Sequence, residues 1–210
     1  MPQLMKVNNG NQPFSFIIWH LKESISYFLD KKKLCNEEIT QLYGITPPNV
    51  LQWLCSRFII SELSDIDVCI LKDDFGKPYI KGSSMHISLS HSNDYFASAI
   101  SADFIGIDIE KISSKAQKIQ SKFCASSDLH FLNTGENLDF FYTRLWTIKE
   151  SVYKAYGKKS LIFKDQIVLK SNNECVVYPD KTRIINYYIQ TFTINDYIFS
   201  IALQKNRKKQ

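Results

Sequence analysis

The first third of the chain alternates between short apolar runs and helical spacing of its apolar residues. Phe14 to His20 is an apolar run of strand length, and Leu21 to Leu29 is typical of a helix that ends at Lys31–Lys33. After the Thr-Pro-Pro-Asn turn at 46–49, apolar residues recur every three or four positions from Val50 to about Leu63. This spacing predicts an amphipathic second helix.

From Met85 the pattern changes to a period of two, which is typical of strands. Ile87 and Leu89 alternate with Ser88 and Ser90, and the extended pattern resumes at 95–101 after the turn residues Asn93-Asp94. Ala102-Asp103 then leads into a third alternating segment at 105–110. The pattern predicts a three-stranded meander over these residues.

The third of these strands carries two carboxylates on one face. Ile105, Ile107 and Ile109 occupy one face, and Asp108 and Glu110 the other. Their Cα atoms should lie roughly 6.5 to 7 Å apart, close enough to share one cation and to repel each other without it. A hard divalent metal is the leading hypothesis, and a solvated strand face is the common alternative.

The strongest helical pattern follows a polar connection at 111–139. A buried stripe is predicted from apolar residues at helical spacing, while Glu150 and Lys154 project from roughly the opposite side; the stripe consists of Phe141, Leu145, Ile148, Val152 and Ala155. Gly157 is predicted to cap the helix. Segments 166–170, 174–178, 184–193 and 197–203 then alternate with turn residues, which predicts an antiparallel sheet.

Composition indicates a folded, reduced protein. The 210 residues are 44% hydrophobic and 13% aromatic, as in globular domains. The five cysteines are scattered without a Cys-x-x-Cys pair, so we expect neither a disulfide nor a zinc site. The start of the chain lacks the pattern of a signal peptide, and Phe14 to Leu21 is too short to span a membrane. A cytoplasmic, soluble protein is therefore expected.

The charge is unevenly distributed along the chain. Residues 1–104 have 9 basic and 11 acidic side chains, and residues 105–210 have 17 and 10, so the net charges are −2 and +7. Lys205, Arg207, Lys208 and Lys209 account for much of the excess, and a fraying tail explains them more simply than a nucleic-acid arm. An acidic partner or a phosphorylated ligand would also fit this charge.

Taken singly, the remaining polar motifs have ordinary explanations. Glu150 and Lys154 could form a surface pair, which is common on helices. His91 could be a hydrogen-bonded turn histidine, and Phe75-Gly76-Lys77-Pro78 could be only a turn.

Together and in this order, four blocks resemble one family. They are Phe75-Gly76-Lys77-Pro78, Ile87-Ser88-Leu89-Ser90-His91-Ser92, Gly106-Ile107-Asp108-Ile109-Glu110, and a helix block from Phe141 to Gly157 that contains Trp146, Lys149-Glu150-Ser151 and Lys154. The sequence resembles the 4'-phosphopantetheinyl transferases, in their larger, Sfp-like form in which one chain holds two similar halves. The resemblance covers most of residues 17–170.

The resemblance implies a fold and a reaction. The fold would be α+β, with two similar α/β halves related by a pseudo-two-fold axis, each with a small antiparallel sheet and packed helices. The halves would be residues 1–104 and 105–210, with the active site between them. The reaction would move the 4'-phosphopantetheine arm of coenzyme A to a serine of an apo carrier protein of acyl, polyketide or peptidyl type, and would release 3',5'-ADP.

The resemblance also implies roles for individual residues. Asp108, Glu110 and Glu150 would bind Mg²⁺, with Mn²⁺ as an alternative ion, since such ions prefer carboxylate, phosphate and water oxygens. Glu150 would accept the serine proton directly or through water, and Lys154 would stabilise or protonate the departing phosphate.

Three residues of the first half match family positions that contact the phosphates of coenzyme A: Lys77, Ser90 and His91. The chain departs from the family just before the second helix, where basic residues that help hold the 3'-phosphate are replaced by Pro47, Pro48 and Asn49. Lys31–Lys33 or Arg57 could replace them.

The predicted protein is a monomeric, Mg²⁺-dependent transferase that binds neither nucleic acid nor membrane. One alternative is a non-catalytic module that binds coenzyme A or a carrier protein on the same fold. A second alternative, a nucleic-acid-binding protein, rests on the pI of about 8.8 and lacks a recognised binding motif.

Overall fold

The computed structural model describes residues 3–7, 13–158 and 160–204, which divide into two compact units, one up to Asp103 and one from Phe104. The first unit contains β1 (Gln3–Val7), β2 (Phe14–His20), α1 (Ile25–Lys31), α2 (Asn36–Leu42), α3 (Pro47–Ser64), β3 (Ile70–Lys72), β4 (Pro78–Ile80), β5 (His86–Ser92) and β6 (Tyr95–Ser101). The basic tail at 205–210 lies outside the described residues.

The second unit is built around one long helix and a second sheet. It contains β7 (Ile105–Lys111), α4 (Ser114–Lys118), two 3₁₀ turns (Gln120–Lys122 and Ser126–Phe131), α5 (Leu138–Tyr156), α6 (Phe163–Gln166), β8 (Ile167–Ser171), β9 (Glu174–Val177), β10 (Ile185–Ile194) and β11 (Tyr197–Gln204). None of the described helices in either unit is both long enough and apolar enough to cross a membrane.

Each unit has one antiparallel sheet with helices packed on it, so the predicted α+β class is confirmed. The first sheet has the order β1-β2-β6-β5-β4-β3, and α3 packs on β2 and β6 through a buried cluster that includes Phe58, Leu54 and Phe96. The second sheet has the order β7-β11-β10-β9-β8 and is covered by α5. The predicted apolar stripe of α5 is buried in this second core.

The predicted three-stranded meander is wrong, although its three strands exist. Strand β6 pairs with β5 on one side and with β2 on the other, so no edge of β6 remains for β7. Strand β7 instead pairs with β11, with Asp108 opposite Ser200. The turn after β6 therefore leads the chain out of the first sheet and into the second.

Two helix starts also differ from the prediction. Helix α1 begins at Ile25 rather than Leu21, because the Ser24 hydroxyl caps it by accepting a hydrogen bond from the Tyr27 amide. Helix α3 begins at Pro47, so the two prolines form its first turn rather than a turn before it. A proline fits there because the first amides of a helix have no partner within the helix.

The expectation that no disulfide forms is wrong for one pair of cysteines. Cys35 and Cys69 are disulfide-bonded, with Cα atoms 5.8 Å apart, although 34 positions separate them in the sequence. The fold brings the start of α2 beside the start of β3, which no cysteine spacing reveals. Cys55, Cys124 and Cys175 are free thiols.

Helix α5 approaches β7 so closely that only glycine fits at position 106. A Cβ atom on Gly106 would lie 1.9 Å from the Ser151 carbonyl oxygen and 2.3 Å from the Ala155 amide nitrogen. Both are backbone atoms, which cannot rotate away. The absence of a side chain at Gly106 therefore sets the distance between the strand and the helix.

The connection from β7 to α5 is fixed to the helix by a buried cation. The Lys149 ammonium donates to Asp128 Oδ2 at 2.7 Å, to the Phe123 carbonyl at 2.7 Å and to the Phe163 carbonyl at 3.2 Å. Both charged side chains are almost fully buried. A charge pair in such a place holds only while both partners are present.

A Gly106→Ala substitution should destabilise the second unit, because its methyl group would push against backbone atoms of α5. We expect the free energy of unfolding, measured by urea denaturation, to fall by at least about 2 kcal/mol. Gly44→Ala is the matched control, since its Cβ would meet only the Gln41 carbonyl at 3.5 Å. A Gly106→Ala protein as stable as this control would contradict the close approach.

A Lys149→Met substitution should cost about 3–5 kcal/mol in the free energy of unfolding, because it leaves the Asp128 carboxylate buried without its cation. Adding Asp128→Asn should restore part of the loss. Lys111→Met is the control: Lys111 pairs with Asp196 at 3.0 Å, and both side chains are about half exposed, so its loss should cost less than about 1 kcal/mol. Equal losses in the two single variants would refute the structural role of Lys149.

Candidate active site

Strand β7 and helix α5 present the four residues predicted for metal binding and catalysis in the second unit. The helix is well defined at both ends: Asn137 caps its start by accepting from the Phe140 amide, and Gly157 ends it with φ of 70°. Gly106 and Asp108 are two residues apart and therefore share one face of β7. Since the Cβ position of Gly106 faces α5, Asp108 is directed to the same helix.

Asp108 and Lys154 form a direct ion pair across this contact. Lys154 Nζ donates to Asp108 Oδ1 at 2.7 Å, and Asp108 is only 4% exposed. The Lys154 side chain keeps 30% of its surface exposed. The ammonium thus links the strand carboxylate to the solvent side of the helix, and it is not the simple surface pair with Glu150 that helical spacing suggests.

Glu150 lies one turn before Lys154 in a strongly perturbing environment. Burial, followed by the negative charge of Asp108 and a smaller contribution from Glu110, raises the pKa of the Glu150 carboxyl to about 7. Lys154 acts in the opposite direction. The same charges that make Glu150 hard to ionise show that Asp108, Glu110 and Glu150 lie within electrostatic range of one another.

The composition of this cluster suits a hard divalent cation. Ionised together, three carboxylates and one ammonium carry a net charge of −2, which a single divalent ion would balance. Carboxylate oxygens are the donors that Mg²⁺ and Mn²⁺ prefer. Besides burial, repulsion by Asp108 and Glu110 raises the pKa of Glu150, as expected for carboxylates that lie close together without such an ion.

The three predicted phosphate contacts lie in the first unit. Lys77 ends the turn between β3 and β4, where its amide donates to Asp73 Oδ1 at 2.8 Å, and burial lowers the pKa of its side chain. Ser90 and His91 are consecutive in β5, so their side chains point to opposite faces of the sheet. The exposed His91 ring stacks on Phe96 at 5.2 Å. That these residues join the cluster of the second unit stays a prediction.

Two basic candidates for holding the 3'-phosphate serve the fold instead. Arg57 is buried, lies 3.5 Å above the Trp53 ring and pairs with Glu38. Lys32 is also buried, pairs with Glu38 at 3.5 Å and donates to the Val68 carbonyl at 2.7 Å. Both cations are therefore occupied by the core of the first unit.

Sequence reasoning missed the roles of Lys149 and Asp128. Asp128 belongs to the polar connection at 111–139, yet it is fully buried against Lys149. The available signal was helical spacing: Lys149 follows Leu145 by four residues and precedes Val152 by three, which places it within the buried stripe. A lysine in such a position predicts a buried anion elsewhere in the chain.

Comparison with known proteins finds a family match that covers most of the second unit. The model of the 4'-phosphopantetheinyl transferase superfamily matches residues 104–202. The 4'-phosphopantetheinyl transferase gsp of Aneurinibacillus migulanus is 31% identical over 136 residues, which cover 62% of this chain and 56% of that protein. The 4'-phosphopantetheinyl transferase Sfp of Bacillus subtilis strain 168 is 35% identical over 109 residues, 49% of this chain and 48% of that protein.

A second 4'-phosphopantetheinyl transferase of Bacillus subtilis is 38% identical over 89 residues, 40% of this chain and 39% of that protein. The chain thus spans about half the length, or less, of these relatives. The matched region contains β7, α5 and all four residues of the cluster. The resemblance inferred from the motif blocks is confirmed: residues 104–202 match the model of the 4'-phosphopantetheinyl transferase superfamily.

Proposed function

We propose that this chain transfers the 4'-phosphopantetheine arm of coenzyme A to a serine of an apo carrier protein and releases 3',5'-ADP. The observation that carries the proposal is the cluster of Asp108, Glu110, Glu150 and Lys154 within the region that matches the superfamily. The serine oxygen attacks the pantetheine-bearing phosphorus of the pyrophosphate. A new oxygen–phosphorus bond forms, and the bond to the departing 3',5'-ADP breaks.

Glu150 is proposed to take the serine proton, directly or through water. A general base works best when its pKa lies near the pH at which the enzyme operates. Burial and neighbouring carboxylates bring the pKa of Glu150 to about 7, far above the ordinary value of 4.5. In the metal-free site, the Glu150 carboxyl therefore exchanges its proton near neutral pH, as a general base does.

Asp108, Glu110 and Glu150 are proposed to hold Mg²⁺, with Mn²⁺ as an alternative. Such an ion would neutralise charge that develops on the pyrophosphate oxygens. Two of these carboxylates come from neighbouring positions on one strand face, and the third comes from the helix packed on that strand. The rigid contact at Gly106 keeps the two elements in register.

Lys154 is proposed to stabilise or protonate the phosphate that leaves. Its ammonium is anchored by Asp108 but remains partly exposed, so it can face a phosphate from the solvent side. Lys77, Ser90 and His91 are proposed to contact the phosphates of coenzyme A. A phosphate beside the half-buried Lys77 would favour its charged form, as the Asp73 carboxylate already does.

The partner is proposed to be an apo carrier protein of acyl, polyketide or peptidyl type, and the working form a cytoplasmic monomer. Carrier choice depends on surface shape, which the cluster does not specify. A module that binds coenzyme A without turnover is the alternative. The transferase adds the mass of a phosphopantetheine group to the carrier protein, and the non-catalytic module does not.

Incubation of candidate apo carriers with coenzyme A, Mg²⁺ and this protein should add one phosphopantetheine group to the carrier, as measured by mass spectrometry. Asp108→Asn and Glu150→Gln should each slow this by at least ~100-fold, because they remove a metal ligand and the base. A chelator should abolish the reaction, and added Mg²⁺ should restore it.

Asp196→Asn is the matched control, since Asp196 is an exposed carboxylate paired with Lys111 on the same sheet. It should leave the rate unchanged. Coenzyme A binding without a mass gain on any carrier would support the non-catalytic module instead. Full activity in Glu150→Gln would refute the assignment of the base.

Glu150→Gln should also remove a pH-dependent loss of stability from the metal-free protein. Because the pKa of Glu150 rises on folding from 4.5 to about 7, the folded chain holds this proton more tightly than the unfolded chain. The stabilisation that this bound proton gives to the folded chain is complete at acidic pH and is lost as the pH rises through 7. Between about pH 5 and pH 8, the parent protein should lose on the order of 2–3 kcal/mol more than the variant.

Urea denaturation in the presence of a chelator measures this difference. Glu174→Gln, at an exposed glutamate of the same unit, should keep the pH dependence of the parent protein. Identical pH profiles for the parent and Glu150→Gln proteins would show that the Glu150 environment is not as described.

A further inference from the structure

Cys35, Glu37 and Cys69 form a compact group of metal-ligating side chains in the first unit. One ligand atom from each residue lies within 4.8 Å of the others, and none of the three residues is fully buried. Cys69 Sγ lies 3.9 Å from Glu37 Oε2. The group shares no residue with the carboxylate cluster on β7 and α5, and the proposed transferase reaction does not use it.

Backbone hydrogen bonds to a buried carboxylate hold the two cysteine positions together, in addition to the disulfide. The buried Glu38 carboxylate accepts from the Cys35 amide at 3.2 Å through Oε2 and from the Ile70 amide at 3.0 Å through Oε1. Ile70 directly follows Cys69, so one carboxylate ties the start of α2 to the start of β3. Arg57 and Lys32 balance its charge at 3.4 and 3.5 Å.

The third ligand is also held in place. Glu37 pairs with Lys81. The Lys81 amide in turn donates to the Cys69 carbonyl at 2.9 Å. Cys69 and Lys81 also line an open cleft, so solvent reaches this residue. Glu37 therefore stands beside both cysteines in an accessible position.

We propose that Cys35, Cys69 and Glu37, once the disulfide is reduced, bind one zinc-class divalent ion. Two thiolates and one carboxylate are a donor set that Zn²⁺ accepts, and a water can complete a tetrahedron. Tetrahedral bonds of about 2.0–2.3 Å place ligand atoms roughly 3.5 Å apart, so the side chains need little movement.

The metal site forms in two steps, reduction of the disulfide and binding of the ion. An external thiol or phosphine reductant supplies two electrons to the Cys35–Cys69 bond, and two protons convert the sulfurs to thiols. Binding of the ion then releases both thiol protons, because the bound sulfurs are thiolates. The disulfide and the metal are thus mutually exclusive states of the same pair.

The full-length protein, reduced with a phosphine and kept free of oxygen, should bind one Co²⁺ with a thiolate-to-cobalt charge-transfer absorption that Zn²⁺ abolishes. Cys35→Ser and Cys69→Ser should each lose this band. Glu37→Gln should weaken Zn²⁺ binding at least ~10-fold, because the loss of even an outer-shell partner of a metal has an effect of that size. Cys124→Ser, at a partly exposed free cysteine, is the control and should retain the band.

A second measurement uses only the parent protein and so does not depend on the folding of variants. Zn²⁺ should protect Cys35 and Cys69, but not Cys124, from alkylation detected by mass spectrometry. No band in the reduced protein, a band that persists in Cys35→Ser, or equal metal binding by the oxidised protein would overturn the proposal. An ion held only by carboxylates gives no thiolate band, so this result is independent of the proposed Mg²⁺ site.

Discussion

The second unit depends on one close backbone contact, between β7 at Gly106 and α5 at Ser151 and Ala155. A strand side chain at position 106 would separate the two elements. Without that separation, Asp108, two residues further along the same face, meets Lys154 at 2.7 Å. The chemistry of the site is therefore a consequence of packing. Because position 106 has no side chain, the buried Asp108 carboxylate reaches the helix that carries Glu150 and Lys154.

Buried charges fix the irregular parts of both units. In the first unit, Glu38 joins the starts of α2 and β3 and is balanced by Arg57 and Lys32. In the second unit, Lys149 joins α5 to the connection that precedes it. Short or irregular segments have few apolar contacts, so a satisfied buried charge is what gives them one position.

The sequence predicted long elements and local chemistry well, and distant pairings poorly. Helix α5 and the four strands after it follow clear periods, and Asp108, Glu150 and Lys154 were identified from motifs that the fold does bring together. Strands β3 and β4 have three residues each, too few to show a period. The partner of β7 and the partner of Cys35 lie far along the chain, and only the fold selects them. Gly106 was visible in its motif, but its steric role requires the helix to be seen.

The Lys149 network also limits how the chain between β7 and α5 can vary. The Lys149 ammonium donates to a carboxylate and to the Phe123 carbonyl of this connection. These two hydrogen bonds therefore anchor the connection to the helix at one buried point. Changes in the exposed turns of the connection would leave this anchor intact. Any replacement must still deliver one anion to the same buried point, or the helix that carries Glu150 and Lys154 loses its support.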